Sequence, residues 1–191
     1  MRLYLITHAH TAQNRQAEAT QWQLSEQGRQ QASILASQPF WAEVEQIVLS
    51  HEPKTYLTIE PVLAQRDLPV LRDARFDELL RPGWTEDYTA QVRQAFAQPD
   101  VGSGAWEPAT AALTRFLAGI AELCARFPEN TVALVGHGLT LSLYRAYLLG
   151  KPQVDLAEWQ QLSFAAVALV DPIAKKFLQD FQAVAGQLAR G

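Results

Sequence analysis

The sequence predicts an α/β fold, a three-layer αβα sandwich with a mostly parallel central sheet and helices on both faces. Three observations carry that prediction. Short β-rich runs recur at residues 2–6, 45–50 and 131–136, helical stretches separate them, and turn-forming residues bound them. A chain of 191 residues is expected to fold as a single domain, 1–191, because domains of roughly 100–200 residues bury a sizeable core.

The first run, RLYLI, stops at Ile6 without a small-residue cleavage pattern, so it reads as a strand rather than a signal peptide. The expected location is therefore cytoplasmic. In LSEQGRQQASILAS, Ser25 is suited to cap a helix, Glu26 to occupy its first turn, and Ala32, Ile34 and Leu35 to supply apolar contacts. This reads as a crossover helix leading to the second run, EQIVLS. Residues 80–107 break the rhythm: RPGW, QPD and GSGAW form turns, and Trp84, Tyr88 and Trp106 add aromatic bulk. They are expected to form an insertion over the sheet edge that could serve as a lid, with the tryptophans packing inside it.

From Pro108 to Phe127, Leu113, Phe116, Leu117, Ile120, Cys124 and Phe127 recur at helical spacing, giving the clearest amphipathic helix in the chain. The third run, TVALVG, follows. A second helix is expected over about 139–149, ending at Gly150. The segment SFAAVALVDPIAKKFLQDFQAV can form two strands joined at Asp171-Pro172 or a strand and a helix; the hairpin is the preferred reading.

Composition narrows the function. Hydrophobic residues make up 48% and charged residues 19% of the chain, and no apolar run is long enough to span a membrane. A net charge of −4 disfavours a broad nucleic-acid surface, which needs clustered Lys and Arg, so an anionic ligand would need a local pocket. A single cysteine, Cys124, allows neither an intramolecular disulfide nor a multi-cysteine metal site, and it falls on an apolar stripe. Nothing in the sequence specifies an oligomeric state.

His8 ends the first strand, and His137 ends the third inside Gly-His-Gly, directly before a helix. Ligands of open α/β sheets bind beyond the carboxyl ends of strands, where helix N-termini offer N–H groups to anions. The two histidines are therefore expected to meet at one pocket. His8 and His10 could share a metal on a strand, but barrel hydrolases with such a pair need about 250 residues and further ligands. Only His51 and His137 remain, and H-E-x-x-H is absent. No metal and no cofactor are predicted.

T-H-A-H-T-x-x-N at 7–14, LSEQGRQQA at 24–32, SHEPKTYLT at 50–58, DARFDEL at 73–79, WEP at 106–108 with Arg115-Phe116 downstream, and VGHG at 135–138 occur in one order. That ordered set resembles the histidine phosphatase superfamily, also called phosphoglycerate-mutase-like, over roughly residues 1 to 150. The E-P-K wording at 52–54 resembles a branch with lysine where many members have arginine.

The resemblance implies a role for each matching residue. His8 matches the nucleophile that becomes a phosphohistidine, and His137 the second pocket histidine, which stabilises the phosphoryl oxygens. Lys54 falls where the family has a phosphate-binding cation, Asn14 matches a pocket asparagine, Gly138 in VGHG matches a substrate-binding position, and Glu78 matches the acid that protonates the leaving oxygen. Asp73 and Asp77 compete with Glu78 for that last role. The chemistry is coherent: cations and N–H groups stabilise the charge spread over equatorial phosphoryl oxygens, neutral imidazole is a capable nucleophile, and an alkoxide needs a proton to leave. His10 and His51 read as rim residues, and Arg29 and Glu26 as surface residues of their helix.

The chain departs from the family pattern at Thr7-His8-Ala9, which stands where the family has Arg-His-Gly. Threonine in the substrate-binding position of Thr7 cannot replace a two-pronged guanidinium contact, a loss of a few kcal/mol of transition-state binding. Arg15, Arg72 or Arg75 could supply a replacement charge. Two functions follow: a metal-independent phosphatase acting on a small phosphomonoester or a phosphorylated protein side chain, or a phosphatase-like domain that binds a phosphorylated or other anionic ligand without turnover.

Overall fold

A computed structural model describes residues 1–184; the last seven residues of the expected domain, 185–191, lie outside the described residues. The elements run β1 (Arg2–Thr7), α1 (Glu26–Ala36), β2 (Gln46–Leu49), α2 (Pro53–Leu63), β3 (Val70–Arg72), α3 (Tyr88–Ala97), α4 (Ala109–Arg126), β4 (Thr131–Gly136), α5 (Gly138–Leu148), α6 (Leu156–Gln161), β5 (Ala166–Asp171) and β6 (Lys176–Ala183). Among the described residues six strands form one sheet in the order β3-β2-β4-β1-β5-β6. β1, β2, β3 and β4 pair in parallel, and β5 and β6 add an antiparallel hairpin against β1. The preferred hairpin reading of the C-terminal segment is the one observed.

Strand alternation builds the two cores. On one face Tyr4, Ile6, Ile47, Leu49 and Val135 meet Leu35, Ile59 and Val62 from α1 and α2. On the other Leu3, Leu5, Val48 and Leu134 meet Phe116, Ile120, Leu141 and Tyr144 from α4 and α5. The α1 cap is as expected: Ser25 Oγ accepts from Gly28 N–H at 3.1 Å, and the surface pair Arg29–Glu26 closes at 2.7 Å. Gly28 permits close approach, since a Cβ there would stand 2.0 Å from the His10 carbonyl oxygen. That contact seats the loop after β1 on α1.

Residues 80–107 contain α3 and pack firmly. Val92, Phe96 and Trp106 are buried with Leu139, Leu143 and Trp159 from α5 and α6. Gly150 closes α5 with φ +65°, and Lys151 N–H bonds the Ala146 carbonyl at 2.9 Å. No helix among the described residues is long and apolar enough to cross a membrane.

Candidate active site

β1 and β4 are register partners in the middle of the sheet, with Thr7 opposite Gly136. Their carboxyl ends therefore bring His8 and His137 together, with ring centroids 5.3 Å apart at 60°. The His8 backbone is fixed from both sides: its N–H bonds the Gly136 carbonyl at 2.9 Å, and its carbonyl accepts from Ala165 N–H at 3.2 Å. Its Nδ1 lies 2.8 Å from the Ala9 carbonyl, which requires a proton on Nδ1 and puts the neutral ring's lone pair on Nε2.

A cavity of about 270 Å³ opens in front of His8, and Lys54, Glu78, Arg81 and Gly138 line it too. Its walls are aromatic: Trp22, Trp84, Tyr88, Trp106, Trp159 and Phe164. Trp84 and Trp106, expected only to pack within the insertion, also face the cavity. His137 lies behind, fully buried, with Nε2 2.8 Å from Ser50 Oγ and 3.5 Å from Glu52 Oε1. Burial pushes its imidazole below the ordinary value of 6.5; the carboxylates of Glu52 and Glu78 oppose this without overcoming it.

Lys54 is 2% exposed. Its Nζ lies 2.5 Å from Glu52 Oε2 and donates to the Ala19 carbonyl at 2.6 Å. Burial opposes ionisation of Glu52, but His137 and Lys54, with hydrogen bonds from Lys54 and the Glu78 N–H, hold its carboxyl below the usual range. Glu52, the first residue of the E-P-K motif, is the buried counter-ion that joins Lys54, His137 and the Glu78 backbone.

Of the three acid candidates, Glu78 lines the His8 cavity. Its Oε2 accepts from Leu139 N–H at 3.0 Å, and its Oε1 from Thr140 and Leu79 N–H at 3.0 and 2.9 Å. The N-terminal N–H groups of α5, expected to face an anionic ligand, are thus engaged by a protein carboxylate. Asp77 lines a neighbouring cavity of about 480 Å³ with Glu52, and burial pushes its carboxyl up against a hydrogen bond from His51 N–H. Asp73 is held low by its hydrogen bonds from Arg75.

Other predicted residues are placed elsewhere. Thr7 is fully buried and does not line the cavity; its hydroxyl donates to the Ser163 carbonyl and accepts from Ala166 N–H, both at 2.8 Å. Asn14 is exposed and outside the cavity lining, its Oδ1 accepting from Gln16 N–H at 2.9 Å. His10 ties the loop to the α1 cap, with Nδ1 2.7 Å from Ser25 Oγ. Ala9 needs no glycine conformation, since among the described residues the non-glycine positions at positive φ are Ala165 and Lys175.

None of the three arginines expected as replacements lines the cavity. Arg15 pairs with Glu86 at 3.6 Å and lies 4.8 Å from the Trp84 ring centroid, Arg72 stacks on Tyr56, and Arg75 is held by Asp73 and Glu122. Among the described residues no group of three or more His, Cys, Asp or Glu side chains is arranged to hold a metal ion.

The model of the histidine phosphatase superfamily (branch 1) matches residues 3–180. A comparison with curated proteins gave no match. Among solved structures, Bacillus stearothermophilus YhfR is similar at TM-score 0.79 and 24% identity, covering 98% of this chain and 97% of its own. A mycobacterial glucosyl-3-phosphoglycerate phosphatase complexed with VO3 is similar at TM-score 0.76 and 23% identity, covering 96% and 99%. The alpha-ribazole phosphatase from Shigella flexneri is similar at TM-score 0.74 and 22% identity, covering 96% of each chain. At these identities the likeness establishes a shared fold.

Proposed function

The chain belongs to the histidine phosphatase superfamily, and from that premise we propose that it hydrolyses a phosphomonoester without a metal ion, through a phosphohistidine on His8. The observation that carries the reading is the Nδ1 contact to the Ala9 carbonyl, which aims a lone pair on Nε2 from a backbone fixed at both ends. Nε2 forms a bond to phosphorus as the ester P–O bond breaks, and a proton from Glu78 passes to the leaving oxygen. Water then attacks phosphorus, gives its proton to Glu78, and the P–N bond breaks to release phosphate and restore His8. His137, buried beside His8, stabilises the phosphoryl oxygens when protonated, an electrostatic contribution amplified by its dry surroundings.

The cavity favours a small substrate over a folded phosphoprotein. It is about 270 Å³ and walled by aromatic rings, so it suits a compact organic phosphate bearing a ring or apolar body. A cytoplasmic setting and the absence of nucleic-acid or membrane partners belong to the same reading.

A second reading, binding of an anionic ligand without turnover, is favoured by three engaged groups. Lys54 is paired with Glu52, Glu78 with three N–H groups, and Thr7 with β5 and the residues before it. Hydrolysis of a generic aryl phosphate in excess chelator, with wild type against His8→Ala, decides between the readings. Turnover that survives chelation, disappears in His8→Ala and leaves acid-labile phosphate on quenched wild type is expected. Activity retained by the variant would remove His8 as nucleophile, and a folded wild type without turnover would leave the binding role.

A further inference from the structure

Two cationic side chains line the cavity in front of His8, Lys54 and Arg81, and only one of them has a counter-charge. Lys54 is neutralised by Glu52 at 2.5 Å. Arg81 makes no ion pair among the described residues; its guanidinium carbon lies 4.9 Å from the Tyr88 ring centroid and 5.8 Å from that of Trp22. Its Nε–H is buried without a hydrogen-bond acceptor among the described residues. A buried donor on a charged group is costly to leave unsatisfied, and an acceptor brought into the cavity by a ligand would remove that cost. Contact with the two aromatic faces limits the freedom of a long side chain, so less entropy is lost when it engages a ligand.

We propose that Arg81 is the residue that binds the anionic group of the ligand in this cavity, providing the guanidinium contact that Thr7 cannot make. The inference rests on the phosphatase reading for the identity of that anion, a phosphoryl group; the Arg81 geometry itself does not depend on turnover. Arginine suits the task, because its planar fork can give two parallel N–H bonds to one phosphoryl group. Trp22 and Tyr88 line the same cavity, so an organic phosphate would set its charge on Arg81 and its ring or apolar body against the aromatic walls.

Inorganic phosphate is the probe, titrated into the full chain by calorimetry and by tryptophan fluorescence, since Trp22, Trp84, Trp106 and Trp159 line the cavity. Arg81→Ala should weaken phosphate about ten- to a hundredfold, the worth of a charge-assisted hydrogen bond. Arg81→Lys should fall between, and millimolar guanidinium should restore binding to Arg81→Ala alone. Arg72→Ala, which removes a cation stacked on Tyr56 outside the cavity lining, should bind as wild type does. Wild-type affinity in Arg81→Ala, an equal loss in Arg72→Ala, or no phosphate binding by wild type would each overturn the proposal. Phosphate binding that depends on Arg81 in a protein with no aryl phosphatase activity would refute the phosphatase reading and leave this one standing. Turnover with KM unchanged in Arg81→Ala would do the reverse.

Discussion

Lys54→Met tests the buried pair that distinguishes this site. The substitution keeps the aliphatic stem and removes an ammonium that lies 2.5 Å from Glu52 Oε2, with the two side chains 2% and 5% exposed. Glu52 then keeps the Glu78 N–H at 2.9 Å and the His137 imidazole at 3.5 Å, but loses the Lys54 ammonium. Removing one member of a buried pair costs about 3–5 kcal/mol. The surviving N–H bond points to the lower end, about 3 kcal/mol, or a melting temperature lower by about 6–12 °C for a chain of this length. The double variant Glu52→Gln/Lys54→Met removes both charges and should recover at least half the loss, leaving a coupling of about 2 kcal/mol or more. Urea unfolding followed by circular dichroism, on both single variants and the double, supplies the cycle. A loss under about 1 kcal/mol in Lys54→Met, or additive losses in the double variant, would refute the claim that Glu52 holds Lys54.

Two further outcomes follow from the same geometry. Thr7→Val is nearly isosteric and leaves Ala166 N–H and the Ser163 carbonyl without the hydroxyl, so stability should fall by about 1–3 kcal/mol with phosphate affinity unchanged; weakened phosphate binding at wild-type stability would instead make Thr7 a ligand contact. The folded-state pKa of His137 lies below its ordinary 6.5, so between the two values the unfolded chain binds more protons and stability falls as pH drops through 6.5. The slope is at most about 1.4 kcal/mol per pH unit, it should vanish in His137→Gln, and flat stability in wild type across that window would mean that the buried imidazole is charged.

What was legible in the sequence follows from what each segment buries. β1, β4 and the long α4 present apolar patterns, and their positions are close to those expected. α2 gave no helical signal because its buried positions include Lys54, Thr55 and Thr58, polar residues whose burial depends on hydrogen bonds made in the folded state. β3 is a three-residue edge strand, largely exposed, with no hydrophobic run to announce it. In the site, strand ends and the Gly-His-Gly turn pointed to His8 and His137. Thr7 and Asn14 lie outside the cavity lining because a motif fixes chain position and not side-chain direction. Arg81 was read only as part of a turn, since its stacking on Tyr88 and Trp22 joins segments far apart in sequence.

The positions of the charges explain why the chain can depart from Arg-His-Gly without losing the fold. An arginine at position 7 would put a guanidinium between the ends of β1 and β5, where Thr7 now makes two hydrogen bonds within a fully buried site. Lys54 offers a point charge in place of a fork, and Glu52 offsets it. The carboxylates of Glu52 and Glu78 offset positive charge at this centre, whereas Arg81 lines the cavity from the segment after Glu78, its Nε–H without an acceptor among the described residues. Glu52→Gln would release Lys54 and should tighten inorganic phosphate by about tenfold or more, since one unit charge about 12 Å away at an effective dielectric constant near 20 is already worth about 1.4 kcal/mol. If phosphate bound no tighter to this variant, the Glu52 carboxylate would lie outside the field felt by the ligand, and the weakness of the clamp would rest on Thr7 alone.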